Sequence, residues 1–111
     1  MIFTVSDASF GPVVLGSTKP IIVDVWAPWC EPCLALDMEL TKLDHKYGEK
    51  IFIAKMDYDE NPGIRAALEH IKVTSVPVLL YYKPNAQAPM VLVGSYPMEK
   101  IAEGFGLDKL K

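Results

Sequence analysis

The sequence predicts a single α/β domain, in which a central mixed β-sheet of about five strands carries helices on both faces. Apolar runs of strand length alternate with segments of helical periodicity through the first two thirds of the chain. The last third adds two strands, joined by a loop too short for a crossover helix, and one more helix. At 111 residues the chain can bury one hydrophobic core but not two, so residues 1–111 are expected to form one domain.

The first half of the chain begins with a short strand over Ile2 to Val5. A weak helix over Asp7 to Leu15 follows, and Gly11-Pro12 is expected to interrupt it. Ile21 to Trp26 is almost entirely apolar, which is typical of a central strand covered on both faces. From Cys30 to Tyr47, apolar residues recur every three or four positions and predict a long core-facing helix; they are Leu36, Leu40, Leu43 and Tyr47.

The second half begins with a strand over Ile51 to Met56. Asn61 is expected to cap a helix that starts at Pro62, with a shared core face made of Ile64, Ala67, Leu68 and Ile71. Val76 to Tyr82 and Met90 to Val93 predict an antiparallel hairpin across a Pro84 to Pro89 loop, and the closing helix is expected over Met98 to about Leu107.

Charge and hydropathy exclude several classes of partner. A formal net charge of -3 provides no basic surface for nucleic acid or anionic lipid, so neither partner is expected. The sequence also lacks a secretory signal and an apolar run long enough for a membrane span. A cytoplasmic location is therefore expected, although a trimmed form of an exported protein would look the same. The chain is also expected to be a monomer.

The only two cysteines, Cys30 and Cys33, lie where the apolar strand gives way to the long helix. The first N–H groups of a helix have no intrahelical partner and its dipole is positive there, so a thiolate is stabilised and the pKa of Cys30 is expected to fall. Cys30 is the expected nucleophile, projecting into solvent, and Cys33 is the sheltered resolving thiol. Pro32 fits the first turn, where its missing N–H costs nothing.

Two other interpretations of the cysteines are inert core thiols and half of a zinc site. His45 and His70 lie 25 residues apart, much farther than the histidine spacing of a Cys₂His₂ site. We therefore expect a redox pair with no metal and no bound cofactor. The two histidines and the acidic stretch at 57–60 are expected to be solvated surface.

Three further residues are unusual for their positions. Asp24 lies inside an apolar strand, so burial should raise its pKa unless nearby donors satisfy it. Lys55 shares a strand face with Ile51 and Ile53, and its ammonium either reaches Asp24 or extends to the surface. Pro77 interrupts a strand-like run, which favours a loop or strand edge because proline cannot donate to a ladder.

Three segments resemble the thioredoxin family, in the right order: Val23 to Cys33, Ala54 to Pro62, and Val76-Pro77. The resemblance covers almost the whole chain and implies the thioredoxin fold with dithiol–disulfide exchange. It implies a general protein-disulfide reductase whose partners are disulfide-containing proteins and a thioredoxin reductase that recharges the domain.

The resemblance also implies roles for individual residues. Asp24 accepts the Cys33 proton through water, Lys55 tunes Asp24, and a cis Val76–Pro77 bond packs against the dithiol. The residues implied to contact the substrate protein are Trp29, Pro32, Val76, Val93 and Gly94.

The chain departs from the family pattern at Glu31, Leu34 and Met38, where glycine, lysine and proline are common. Glu31 is expected to place negative charge beside the thiolate and to make the site more reducing than glycine would. A disulfide isomerase or oxidant, and a non-catalytic docking module on the same fold, remain alternatives to the reductase.

Overall fold

The computed structural model describes residues 1–110 and contains a five-stranded mixed sheet. The strands are β1 (Ile2–Thr4), β2 (Ile21–Trp26), β3 (Phe52–Asp57), β4 (Val78–Tyr82) and β5 (Met90–Val93). They lie in the order β1-β3-β2-β4-β5. The first three are parallel, whereas β4 runs antiparallel to both β2 and β5. The predicted α/β class, the mixed sheet and the antiparallel hairpin are confirmed.

Four α-helices accompany the sheet in the described part of the chain: α1 (Asp7–Phe10), α2 (Glu31–Tyr47), α3 (Pro62–His70) and α4 (Met98–Phe105). The predicted interruption at Gly11-Pro12 is present, because α1 continues as a π-helical turn over Gly11–Leu15. Pro12 has no N–H to donate, and the turn is closed by a wider bond from Gly16 N to Gly11 O at 3.0 Å.

The two faces of the sheet carry separate apolar clusters. Leu36, Leu40 and Leu43 of α2 pack with Ile101 and Phe105 of α4 on one face. The π-turn and α3 cover the other face with Val14, Ile64 and Leu68. Successive strand side chains point to opposite faces, so Ile22 and Asp24 of β2 lie on the α2 and α4 side. Within residues 1–110, no helix has the length and hydropathy to cross a membrane.

Several predicted boundaries differ from the structure by one or two residues. β1 ends one residue earlier than predicted, and β3 begins and ends one residue later. β4 begins at Val78 rather than Val76, because Pro77 cannot donate to the ladder. The closing helix ends at Phe105 rather than about Leu107, because Gly106 adopts a left-handed conformation with φ 70°.

The predicted core face of α3 was also too wide. Ile64 and Leu68 are buried, but Ala67 is exposed and Ile71 is 47% exposed. Ile71 lies beyond the last helical residue, and a cleft between α3 and the loop at 84–89 leaves both side chains open.

The start of α3 is capped by a residue from α1. Asn61 occupies the expected cap position, but its side chain bonds Asp7 N at 2.9 Å and Asp57 O at 2.8 Å instead of the helix. The carboxylate of Asp7 accepts from Gly63 N at 2.7 Å and Ile64 N at 3.0 Å. This contact joins α1 to α3 and satisfies two N–H groups that have no intrahelical partner.

We predict that Asp7→Ala lowers the free energy of unfolding by about 1–2 kcal/mol, because both N–H groups lose a charged acceptor. Urea denaturation monitored by circular dichroism measures the change. Glu60→Ala, which also removes an exposed carboxylate, is the matched control and should stay within about 0.5 kcal/mol of wild type. Equal losses in the two variants would show that Asp7 is not the cap that holds α3.

Candidate active site

Cys30 and Cys33 form a disulfide at the start of α2, with their Cα atoms 5.3 Å apart. Cys30 is the N-cap of the helix, and its extended backbone has φ −101° and ψ 106°. Its Sγ accepts a hydrogen bond from Cys33 N at 3.2 Å. From the sequence, an N–H group without an intrahelical partner was expected beside Cys30, and the structure shows that contact.

The expected contrast in exposure between the two cysteines was wrong. Cys30 is only 5% exposed, against 3% for Cys33. Both pack in a small cluster with Ala27, and Trp26, Tyr58 and Val76 cover it. The two cysteines therefore differ in position, since Cys30 precedes the helix and Cys33 lies in its first turn, but hardly in exposure.

The loop before β4 lies directly beside Cys30. The Val76–Pro77 peptide bond is cis, as the resemblance implied, and Pro77 is buried. Val76 O lies 3.7 Å from Cys30 Sγ. Gly94 N donates to Pro77 O at 2.8 Å, and Val93 pairs with Val78 in the β4–β5 ladder. Val76 and Pro77 thus lie in the loop that contacts Cys30, and Gly94 is hydrogen-bonded to that loop.

Trp29 is 65% exposed, and its Nε1 donates to Asp59 Oδ2 at 2.9 Å. The Asp59 loop is held in turn by Arg65, whose Nη1 donates to the carbonyls of Tyr58 at 2.8 Å and Asp59 at 2.6 Å. Sequence reasoning assigned no role to Asp59. The available signal was its position just after β3, because the carboxyl ends of neighbouring parallel strands meet at one edge of the sheet.

Asp24 is fully buried, and neither carboxylate oxygen has a hydrogen-bond partner within residues 1–110. Burial raises the pKa of Asp24 to about 7, the nearby Lys55 opposes that rise, and Asp37 adds to it. The predicted rise is confirmed, and the alternative of a carboxylate satisfied by nearby donors does not hold for the described residues.

Lys55 lies opposite Asp24 in the parallel pairing of β2 and β3. Its Nζ is 3.9 Å from Asp24 Oδ2 and 5.2 Å from the centroid of the Trp26 ring. A closer ion pair joins it to Asp37 of α2. Sequence reasoning missed Asp37, although its position four residues after Cys33 places both on one side of the helix.

The positions that depart from the family pattern lie on the exposed side of α2. Glu31 and Pro32 are exposed in its first turn, and Leu34 and Met38 are each 67% exposed. No group of three or more potential metal ligands occurs among the residues that the structure describes.

Comparison with known proteins gives one consistent result. The family model described as Thioredoxin matches residues 1–105. The chain is 37% identical over 98 residues to a thioredoxin of Synechocystis sp., covering 88% of each protein. It is 38% identical over 98 residues to a thioredoxin of Haemophilus influenzae, again covering 88% of each. The structure of chloroplastic thioredoxin z superposes with a TM-score of 0.82 at 24% identity, over 97% of this chain and 94% of that one.

The buried carboxyl of Asp24 predicts a specific dependence of stability on pH. Its pKa of about 7 in the folded protein exceeds the ordinary value of 3.8, so the folded state holds this proton more tightly. The resulting stabilisation is complete at low pH and is lost as pH rises toward and through 7. Asp24→Asn removes this dependence. The stability of Asp24→Asn relative to wild type should therefore increase by on the order of 2 kcal/mol between pH 5 and pH 8.5.

Urea unfolding of both oxidised proteins at the two pH values measures this difference. Asp44→Asn, which neutralises a partly exposed carboxylate at the far end of α2, is the control and should show a much smaller pH dependence. A constant difference between Asp24→Asn and wild type would contradict a raised pKa at Asp24.

Proposed function

The chain belongs to the thioredoxin family, and from that premise we propose that it acts as a general protein-disulfide reductase. The family membership supports a thiol–disulfide oxidoreductase with a redox-active cysteine pair. The observation that carries the proposal is the hydrogen bond from Cys33 N to Cys30 Sγ at 3.2 Å. An N–H aimed at a sulfur stabilises negative charge there, and the thiolate is the form that attacks a disulfide.

The proposed reaction begins with the reduced protein. The Cys30 thiolate attacks one sulfur of a partner disulfide, forming a mixed disulfide while the other partner sulfur leaves as a thiolate. Cys33 then loses its proton and attacks Cys30 Sγ, which releases the second partner sulfur. Two electrons pass to the partner, and the Cys30–Cys33 disulfide seen here is the product state.

Asp24 is the proposed acceptor of the Cys33 proton. A base works best when its pKa lies near the working pH, and burial brings the Asp24 carboxyl to about 7. Both of its oxygens are free of hydrogen bonds within residues 1–110, so either can take the proton through a bridging water. Lys55, 3.9 Å from Oδ2, tunes that basicity.

The proposed docking surface surrounds Cys30. Trp29, which precedes Cys30, and Val93, which precedes Gly94, are exposed, and Pro32 is exposed in the first turn of α2. An extended partner segment could pair with the backbone at Val76, as in strand addition, and place its disulfide against Cys30. Exposed apolar and aromatic side chains are typical of such recognition surfaces.

Recharging requires an electron donor for the oxidised domain, and a thioredoxin reductase is the proposed partner. The cytoplasmic location and the monomeric state stay predictions.

Trapping tests the reaction directly. We predict that reduced Cys33→Ser, mixed with insulin, accumulates a mixed disulfide through Cys30, because a serine hydroxyl at position 33 cannot attack that disulfide. Non-reducing electrophoresis and peptide mass spectrometry detect the adduct. Cys30→Ser is the matched control and should trap little or none.

The wild-type chain should also reduce insulin with dithiothreitol at a rate well above background. A rate equal to background, together with no adduct in Cys33→Ser, would contradict the reductase proposal and favour a non-catalytic docking module.

The reduction potential of the cysteine pair distinguishes a reductase from an oxidant, and Glu31 is expected to affect it. Its carboxylate lies in the first turn next to Cys30 and is exposed, so it should disfavour the thiolate and the reduced state. We predict that Glu31→Gly moves the reduction potential of the pair to a less negative value by roughly 10–30 mV. Equilibration with glutathione buffers measures the potential, and Glu31→Gln tests the charge alone. A more negative potential in Glu31→Gly would contradict this role.

A further inference from the structure

Lys55 has two acidic neighbours, and the closer one has no part in the proposed reaction. Its Nζ forms an ion pair with Asp37 of α2, whereas its distance to Asp24 Oδ2 is 3.9 Å. The ammonium also lies 5.2 Å from the centroid of the Trp26 ring. One cation is therefore held between two carboxylates and is bound mainly to one of them.

The two carboxylates differ in how easily they carry charge. The Asp37 side chain is 41% exposed, so water and Lys55 both stabilise its anion. The Asp24 side chain is fully buried, without a hydrogen-bond partner in the described chain, so its anion is disfavoured. The ammonium consequently lies closer to the exposed carboxylate of Asp37 and stays 3.9 Å from the buried Asp24 Oδ2.

We propose that Asp37 is a positioning residue that holds the Lys55 ammonium toward α2 and so keeps it from forming a close ion pair with the Asp24 carboxylate. The proposal rests on the reductase function, in which Asp24 takes up the Cys33 proton. A carboxylate without a close cation is the stronger base. Once Asp24 ionises, Lys55 is near enough to turn toward it, so Asp37 sets how readily Asp24 gains and loses its proton.

The charged groups that act on Asp24 come from two of the elements packed around it. β3 contributes Lys55, which lowers the pKa of Asp24, and α2 contributes Asp37, which raises it. β4 places Leu79 opposite Asp24, and α4 presents apolar side chains to this face of the sheet. In the reduced protein, the thiol of Cys33 joins Asp37 on the same side of α2.

The test is the titration of the Asp24 carboxyl carbon by NMR in Asp37→Asn. The midpoint should fall by about one pH unit, because Lys55 is released toward Asp24 and a neighbouring negative charge is lost. Asp37→Glu should restore the wild-type midpoint. Asp44→Asn removes the same charge from the far end of α2 and should leave the midpoint unchanged.

A double variant separates action through Lys55 from direct repulsion. Lys55→Gln alone should raise the midpoint, and Asp37→Asn should then produce a smaller shift than in wild type, since no cation is left to release. An unchanged or raised midpoint in Asp37→Asn, or a shift in the Lys55→Gln background as large as in wild type, would overturn the proposal. These titrations do not depend on turnover, so an inactive wild-type chain would contradict the reductase function separately.

Discussion

The hydrogen bond from Cys33 N to Cys30 Sγ is the contact around which the site is organised. It exists because β2 ends at Trp26 and α2 begins at Glu31, so that Cys30 falls at the cap of the helix. The apolar side of α2 packs on the sheet and fixes the direction in which its first N–H groups point. A sulfur at that point meets the positive end of the helix dipole, which stabilises its anion. The packing of α2 in the core therefore holds the N-terminal end of this helix in place beside Cys30.

The buried carboxyl of Asp24 is the feature that costs stability. Burying a charged carboxylate in a strand covered on both faces costs free energy. Asp24 has no hydrogen bond within the part of the chain that the structure describes. Lys55 compensates only in part, because it is paired with Asp37. This arrangement is unfavourable for folding above neutral pH, yet it gives the proposed proton acceptor a pKa of about 7, which suits proton transfer. Stability and reactivity are opposed at this residue.

Local patterns predicted the sheet, the long helix and the cysteine pair, because strand and helix periodicities are properties of neighbouring residues. They failed where tertiary contacts decide. Asn61 sits at the cap of α3, but Asp7 from a distant element supplies the bonds. Cys30 was expected in solvent, but the Val76 loop and the Trp26 and Tyr58 side chains cover it. The partners Asp37 and Asp59 were missed for the same reason, since each acts on a residue that lies far from it in sequence.

Selective alkylation of the reduced protein tests the central claim most directly. After a short pulse of iodoacetamide at pH 7, peptide mass spectrometry compares labelling at Cys30 and Cys33. A sulfur stabilised as an anion at the helix cap should react faster than its neighbour within the first turn by about tenfold or more. Equal labelling of both positions, or no labelling of Cys30 beyond that of Cys33, would contradict the account.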